Sequence, residues 1–276
     1  MTQITSENIN EFYNQIKSLS LYQNYELRTD DHFLIRFLKI TNHDISKALK
    51  RYEAYYQMLL DLPKSEGFTS GSIEDRQWLY DTLALMDKDA KEKYDFEHPL
   101  FAFYGQDQKN RSIIGFDGSG SGYFINYDNF LDASLYGTIL VYDYLLENYD
   151  YVQDYGLVII DDWEKMNMKM FFFFMRNPSF LTFFQMIPDR MPIKVDHYYI
   201  VNGPIYVSKI YDLMKVFMSE EKKNSMTFED DMNNVIADIG EDGLPEFLKG
   251  DRKFVLGGDS IDVEPQFMKI FPRKRQ

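Results

Sequence analysis

The feature that most constrains the fold is a pair of short apolar runs separated by one aromatic segment. Residues 156–160 (GLVII) form a continuous apolar run rich in β-branched side chains, and residues 194–201 (KVDHYYIV) are interpreted as a second strand of the same kind. Continuous apolar runs of this length are typical of strands that are buried on both faces. The segment between them has helical periodicity, so the order is strand, helix, strand. This order predicts an α/β fold with a mostly parallel sheet.

The aromatic segment itself spans residues 168–191 and contains seven phenylalanines and five methionines. Asn177 is a suitable N-cap and Pro178 suits a first helical position, which predicts a helix from there on. The apolar side of that helix recurs at i, i+3, i+4 and i+7: Phe180, Phe183, Phe184 and Ile187. From these residues alone, ordinary core packing is favoured, and the wall of a cavity for a hydrophobic ligand is the alternative. The preceding block, residues 171–174, has no assigned role.

The N-terminal part of the chain is predicted to be helical. Apolar stripes mark one helix over residues 9–19 and a second over residues 33–38, which Thr29 and Asp30 are placed to cap. A third helix is expected to begin after Asp44, a plausible N-cap. The stripes of the three helices are expected to pack on one another.

The pattern changes after residue 99. Residues 100–104 and 111–116 predict a strand–turn–strand unit, and residues 129–148 predict a helix. Residues 205–218 predict a second helix that is apolar over more than half of its circumference. Such a helix is either deeply buried or lies over an apolar surface. Residues 251–276 are expected to form an irregular tail.

Composition excludes several classes of function. Thirty basic and 44 acidic residues give a net charge of −14, which disfavours nucleic acid as a partner and lasting attachment to an anionic membrane. The chain contains no cysteine, so disulfides, thiolate metal sites and cysteine nucleophiles are excluded. The first residues lack the pattern of a targeting peptide, and no apolar stretch reaches the length of a membrane span. A cytoplasmic location is therefore expected.

Patterns for catalysis or metal binding are weak. The glycine-rich residues 117–122 follow a strand but have neither phosphate-binding spacing, so we interpret them as a turn. The neighbours Asp161 and Asp162 are interpreted as surface or capping residues, because adjacent side chains do not face one site. The four histidines lack metal-ligand spacing, and no serine lies in a GxSxG motif. We predict no catalytic residue, no metal site and no cofactor other than a bound hydrophobic ligand.

A set of short motifs is distributed over most of the chain. They are residues 30–38 (DDHFLIRFL), 44–49 with 55–56, 156–164 (GLVIIDDWE), 191–195 with 199–204, 217–220 and 244–250 (LPEFLKG). In order and spacing they resemble the CRAL-TRIO family of lipophilic-ligand carriers, which includes the tocopherol transfer protein and cellular retinaldehyde-binding protein.

The resemblance implies a helical lobe at residues 1–92, a ligand-binding lobe at residues 93–250 and a C-terminal tail at residues 251–276. It also implies that the sheet floors an apolar cavity and that the helix over residues 205–218 is a mobile gate. The residues expected to wall the cavity or to bond a polar group of the ligand are Tyr136, Ile139, Leu140, Asp143, Phe180, Phe183, Phe184, Ile187, Tyr198, Ile200, Tyr206, Ile210, Tyr211, Met214 and Phe217.

The leading expectation for function is binding and transfer of a long hydrophobic ligand, such as a carotenoid, retinoid or tocopherol, with transient membrane contact and without catalysis. The alternative is a phosphoinositide-sensing regulatory module at membranes, which would use Lys194, Lys222 and Lys223. Asp196 stands where a second basic residue of that site would be expected. An enzyme acting on lipid is a third possibility, for which the sequence offers no nucleophile. The ligand's identity and the oligomeric state stay open.

Overall fold

A computed structural model describes residues 4–61, 85, 88, 89, 92, 101–118, 125, 127, 130–177, 190–214, 223–229, 231–257 and 273–275 of the 276-residue chain. The helices are α1 (Ser6–Ile16), α2 (Ser20–Asn24), α3 (Asp31–Ile40), α4 (Ile45–Asp61), α5 (Phe130–Asn148), α6 (Asp150–Tyr155), α7 (Met168–Arg176), α8 (Ile205–Met214) and α9 (Met232–Ile239). The strands are β1 (Tyr25–Glu26), β2 (Phe101–Gln106), β3 (Ser112–Asp117), β4 (Leu157–Asp162), β5 (Val195–Val201), β6 (Met226–Glu229), β7 (Leu256–Gly257) and β8 (Arg273–Lys274).

Helices α1, α3 and α4 pack on one another at the N-terminal end of the chain. Asp30 and Asp44 are confirmed as caps, since an Asp30 carboxyl oxygen accepts from the Phe33 N–H at 3.1 Å and Asp44 accepts from the Lys47 N–H at 3.0 Å. Of the two residues placed to cap α3, the N-cap is Asp30 and not Thr29. The interior of this unit is unusually aromatic, and edge-to-face ring contacts hold the helices against one another. The rings involved are Phe12, Phe33, Phe37, Tyr52, Tyr55 and Tyr56.

The described strands form a six-stranded sheet in the order β6-β5-β4-β3-β2-β7 and a two-stranded pair of β1 with β8. Strands β3, β4, β5 and β6 run parallel to one another, whereas β2 is antiparallel to both β3 and β7. The predicted α/β class with a mostly parallel sheet is therefore confirmed. Strand β4 lies in the interior of the sheet and all six of its residues are buried, as its continuous apolar run predicted.

The expectation of an irregular C-terminal tail was wrong at two places. Strand β7 adds to the edge of β2, and β8 pairs with β1, where Lys274 lies opposite Tyr25. The Arg275 N–H also donates to the Asn24 carbonyl at 2.9 Å. Strands of two residues have too little periodicity to be found in a sequence, and they form here because an edge strand offers unpaired backbone groups.

Helix α5 joins the helical N-terminal unit to the sheet through a network of buried charges. Arg36 of α3 is 1% exposed and donates to Glu147, while its guanidinium lies 4.0 Å from the Asp143 carboxyl. Arg28 makes a bidentate pair with Glu147 at 2.8 and 3.1 Å, and the Tyr55 hydroxyl donates to Asp143 at 2.7 Å. Bidentate geometry of this kind fixes both distance and orientation.

The surroundings shift the pKa values of the two junction carboxyls, Asp143 and Glu147, in opposite directions. Burial alone would raise the pKa of Glu147, but the hydrogen bonds from Arg28 and Arg36 lower it to about 2. Burial raises the pKa of Asp143 to about 6, against the opposing effects of the Tyr55 hydroxyl and Arg36. Because the pKa of Glu147 is depressed, its contribution to stability is present above its unfolded pKa near 4.5 and is lost as the pH falls towards 2.

We predict that Arg36→Met lowers the free energy of unfolding by about 3 kcal/mol, because it leaves the buried Asp143 and the half-buried Glu147 without this cation. Urea unfolding at pH 7 measures the change. The control is Lys47→Met, since Lys47 is exposed and lies 3.6 Å from an exposed Asp44 carboxyl. It should change stability by less than about 0.5 kcal/mol. Equal effects of the two substitutions would contradict the structural role of the junction.

Candidate functional site

The two faces of the sheet bury different clusters of side chains. One face packs Ala102, Ile113, Val158 and Val201 under helix α9. The opposite face belongs to the main apolar cluster, which also contains helix α5 and the buried side of helix α7. Side chains alternate between the two faces along each strand, so the register of the parallel strands determines which residues meet.

On the face towards α5, the register of four parallel strands aligns two rows of side chains. The row nearer the strand starts is Ile114, Ile159, Tyr198 and Met226, and the row nearer the carboxyl ends is Phe116, Asp161, Ile200 and Phe228. We call these eight residues the sheet floor. In open α/β sheets, ligands bind beside the carboxyl ends of the strands, which is where the second row lies.

Asp161 is the only acid in the sheet floor, and it is 5% exposed. One of its oxygens, Oδ2, accepts a hydrogen bond from the Tyr198 hydroxyl at 2.6 Å. The other oxygen, Oδ1, is buried and has no partner at hydrogen-bond distance and angle among the described residues, although the Trp163 side chain lies close enough to the carboxyl to favour its ionised form. Burial raises the pKa of Asp161 to about 7, while the side chains of Tyr198 and Trp163 act in the opposite direction.

The interpretation of Asp161 and Asp162 as surface residues was wrong, because both are buried at the end of β4. The capping interpretation fits Asp162, whose Oδ1 accepts from the Glu164 N–H at 2.9 Å and from the Asn202 amide at 3.2 Å. Alternation along the strand sends Asp161 to the other side of the sheet. The two acids therefore do not face one site, as predicted, but the burial of Asp161 was not predicted.

The glycine-rich loop is described only at Gly118. A Cβ atom there would lie 2.3 Å from the carbonyl oxygen of Asp162, so the end of β3 approaches β4 too closely for any side chain. This approach accounts for the first glycine of the loop by backbone packing, without a phosphate. The rest of the loop, residues 119–122, lies outside the described residues.

Helix α5 carries four of the predicted site residues, and all four are buried. The helical period places Tyr136 and Leu140 on the same stripe as Asp143, whose carboxyl is bonded to Tyr55 of the N-terminal unit. Ile139 shares the adjacent stripe with Tyr142, whose pKa is raised by burial and, to a lesser extent, by the nearby Asp161 carboxylate. The structure thus brings Ile139 towards the sheet floor and holds Asp143 at the junction with α4.

The two predicted site residues of β5, Tyr198 and Ile200, both lie in the sheet floor. Tyr206 is half-buried at the start of α8, and its hydroxyl donates to the Met166 carbonyl at 2.6 Å. Both tyrosine hydroxyls are therefore engaged within the protein, to Asp161 and to Met166. Ile210, Tyr211 and Met214 lie in α8, but their side chains are outside the described part of the structure.

The remaining predicted wall residues lie outside the described residues: Phe180, Phe183, Phe184, Ile187 and Phe217. The preceding phenylalanine block forms helix α7, which begins after the N-cap Asn167. Phe171 and Phe174 are buried in the main cluster, whereas Phe172 is 47% exposed and lies under the Arg176 guanidinium. That the predicted residues contact a ligand stays a prediction.

The basic residues proposed for a phosphoinositide are differently placed. Lys194 is exposed, and its ammonium lies 3.1 Å from an Asp196 carboxyl oxygen that stands where a second cation was expected. Asp196 in turn accepts from Arg111 at 2.7 Å. Lys223 is half-buried, and Lys222 lies outside the described residues. Within the described residues, no group of three or more candidate side chains could hold a metal ion, and no helix is long and apolar enough to cross a membrane.

Comparison with known proteins identifies this arrangement. The family model of the CRAL/TRIO domain matches residues 97–250, which is more than half of the chain. The chain belongs to the CRAL/TRIO family. The matched residues include strands β2 to β6, and therefore the whole sheet floor.

Two individual proteins illustrate the relationship. Clavesin-1 from Xenopus laevis is 25% identical over 234 residues, which cover 81% of this chain and 62% of Clavesin-1. The chain thus spans less than two thirds of the length of this relative. The crystal structure of Sfh5 is similar with a TM-score of 0.52 at 13% identity, and the match covers 97% of this chain and 100% of that chain. At this identity the likeness shows the shared CRAL/TRIO fold alone.

We predict that Asp161→Asn becomes more stabilising as the pH rises. The folded pKa of Asp161, about 7, lies above its ordinary value of 3.8, so the neutral form is favoured in the folded state. The cost of burying the charge is therefore absent below pH 4, grows as the pH rises towards 7 and is constant above that. Relative to the parent protein, the variant should gain on the order of 3 kcal/mol between pH 4.5 and pH 8.

Urea unfolding at the two pH values measures this difference. The control is Asp154→Asn, because Asp154 is an exposed acid that pairs with Lys39. Its effect should change by less than about 0.5 kcal/mol between the two conditions. An Asp161→Asn effect that is the same at both pH values would show that Asp161 does not carry a buried, titrating carboxyl.

Proposed function

We propose that this protein binds a long hydrophobic ligand over the sheet floor and transfers it between membranes. The observation that carries the proposal is the two-row sheet floor on four parallel strands, whose second row lies at their carboxyl ends, in a chain of the CRAL/TRIO family. Seven of its eight side chains are apolar or aromatic, and three of them, Phe116, Tyr198 and Phe228, are only half-buried. A mostly apolar surface with few polar groups suits a hydrophobic ligand.

Burial of apolar surface supplies the affinity in this proposal. A long lipid that buries several hundred Å² at about 25 cal/mol/Å² gains on the order of 10 kcal/mol before the costs of ordering are subtracted. Carotenoids, retinoids and tocopherols are ligands of this size. No covalent step is needed, so the protein acts as a carrier and not as an enzyme, and we place it in the cytoplasm.

Helix α8 is the proposed gate of the site. Its first residue, Ile205, is 75% exposed, while Val207 is buried in the main cluster. The hydrogen bond from Tyr206 to the Met166 carbonyl holds the start of the helix against the segment that precedes α7. Opening of the gate at a membrane would let lipid replace these contacts, which biases a two-state equilibrium towards release. The exposed Phe172 and Met168 of α7 offer an apolar surface for the transient membrane contact.

The phosphoinositide-sensing alternative receives less support from the described residues. The charge of Lys194 is balanced by Asp196, as is part of that of Arg111. Binding to liposomes that contain an anionic phosphoinositide, compared with neutral liposomes, tests this alternative.

The test of the carrier function is extraction of the purified native protein with organic solvent, followed by absorption spectroscopy and mass spectrometry. We expect about one hydrophobic molecule per chain, because a carrier would take up its ligand during expression. The matched variants are Phe184→Asp and Ser179→Asp, which place the same charge on opposite sides of the predicted helix after Pro178. Phe184→Asp should lower loading at least tenfold, since a charge in an apolar wall is strongly disfavoured.

Ser179→Asp should leave loading within about twofold of the parent protein, because surface substitutions are usually tolerated. A native protein without extractable lipid that also takes up no retinoid, carotenoid or tocopherol would contradict the carrier function. Equal loss in the two variants would show that the aromatic face is not the wall.

A further inference from the structure

One polar position interrupts the otherwise apolar sheet floor. It consists of Asp161 and the Tyr198 hydroxyl, which are joined by a 2.6 Å hydrogen bond. Their neighbours in the two rows are Ile159 and Ile200, which are 3% and 1% exposed. The Asp161 Oδ1 atom is buried within this surface without a hydrogen-bond partner among the described residues. Buried polar atoms are rarely left unpaired, and a polar group of a bound molecule would supply a partner for Oδ1.

We propose that Asp161 and Tyr198 form the polar end of the ligand site and select lipids that carry an uncharged hydroxyl group. The inference rests on the proposed carrier function and deepens it by naming the chemical class of the ligand. Hydrocarbons without a polar group would leave Oδ1 unpaired. Fatty-acid anions and phosphorylated lipids would bring a second negative charge to a buried acid.

The geometry explains why a hydroxyl suits this position. Tyr198 donates to Oδ2, which leaves Oδ1 as the oxygen that can bond a ligand. A protonated carboxyl donates from Oδ1 to the ligand oxygen, and an ionised carboxyl accepts the ligand's hydroxyl proton. A hydroxyl group serves as both donor and acceptor, whereas a carbonyl can only accept. The hydroxyl is therefore the ligand group that pairs with Oδ1 in either protonation state.

The charges around Asp161 disfavour anionic ligands. The groups that act most strongly on its titration, beyond its own burial, are Tyr198, Trp163, Asp162 and Asp117. None of these four is cationic, and two of them are acids. Burial raises the pKa of Asp161 to about 7, so both protonation states are populated near neutral pH. An anion in this place would meet either an ionised acid or a neutral one without a compensating cation.

Competition among three lipids of equal chain length tests the proposal. The full-length protein is incubated with phosphatidylcholine vesicles that contain equal amounts of 1-hexadecanol, hexadecane and hexadecanoic acid. The protein is then separated from the vesicles, and its bound lipids are measured by mass spectrometry. The variants are Asp161→Val, which has nearly the same volume and suits a strand, and Asp161→Asn, which keeps a donor and an acceptor.

We expect the parent protein to enrich hexadecanol over the other two probes. Asp161→Val should lower the ratio of bound hexadecanol to bound hexadecane about tenfold, the usual effect of one buried hydrogen bond. Asp161→Asn should keep the ratio within about twofold. Comparison of ratios between variants cancels the different partitioning of the probes into the vesicles.

The outcomes separate this proposal from the carrier function. Uptake of the probes without enrichment of hexadecanol, or enrichment that persists in Asp161→Val, overturns the polar site and leaves the carrier function intact. No uptake of any probe contradicts the carrier function and the polar site together.

A second measurement is made on the parent protein and uses a variant only to assign one signal. The carboxyl carbon of Asp161, observed by NMR in the parent protein with ¹³C-labelled aspartate and assigned with Asp161→Asn, should shift when hexadecanol is added and not when hexadecane is added. An unchanged signal with bound hexadecanol overturns the proposal.

Discussion

The register of the parallel strands is the constraint on which the rest of the structure depends. Alternation along a strand allows two sets of side chains, and a shift of one residue would exchange them. With the observed register, Ile159 and Ile200 face helix α5 while Val158 and Val201 face helix α9. The same register turns Asp161 into the apolar floor and leaves Asp162 to cap the turn after β4. One backbone arrangement therefore sets both the composition of the floor and the position of its single acid.

Helix α5 connects this floor to the N-terminal helices, and it packs against each of them with a different stripe of side chains. Thirteen of its residues are buried, so it has almost no solvent-facing side. One stripe carries Asp143 and Glu147, which meet Tyr55, Arg28 and Arg36 of the N-terminal unit. The adjacent stripe faces the sheet. Since the buried charges hold the helix in a defined rotation, the N-terminal unit acts as a support for the wall opposite the floor.

Much of this fold was predictable from the sequence, because helix caps and apolar runs depend on residues that are close together in the chain. The caps at Asp30 and Asp44 and the apolar run of β4 depend on nearby residues, and all three were predicted correctly. The strands β7 and β8 were missed because two-residue strands are created by the edges they join. Asp161 was missed for a different reason. An acid next to another acid is usually a surface residue, and only the strand alternation, applied to a run already predicted as buried, could have placed it inside.

The candidate site was predictable only in part, because some of its contacts depend on tertiary packing. Tyr198 and Ile200 were assigned to the ligand site and lie in the sheet floor, because their strand has a fixed position in the family. The tyrosine hydroxyls, however, are engaged by Asp161 and by the Met166 carbonyl, contacts between segments about 40 residues apart in sequence. Such pairings depend on tertiary packing, which periodicity does not encode. They also convert Tyr198 from a general donor to the partner of one particular acid.

In the proposed carrier, the ligand lies on the sheet face towards α5. Photo-cross-linking with a hexadecanol that carries a diazirine in the middle of its chain tests this most directly, with the modified residues identified by mass spectrometry. We predict adducts on the half-buried members of the sheet floor, which are Phe116, Tyr198 and Phe228. Unlabelled hexadecanol should reduce the yield of these adducts. Competed adducts confined to the opposite face, at Tyr199, Val201 and helix α9, would contradict it.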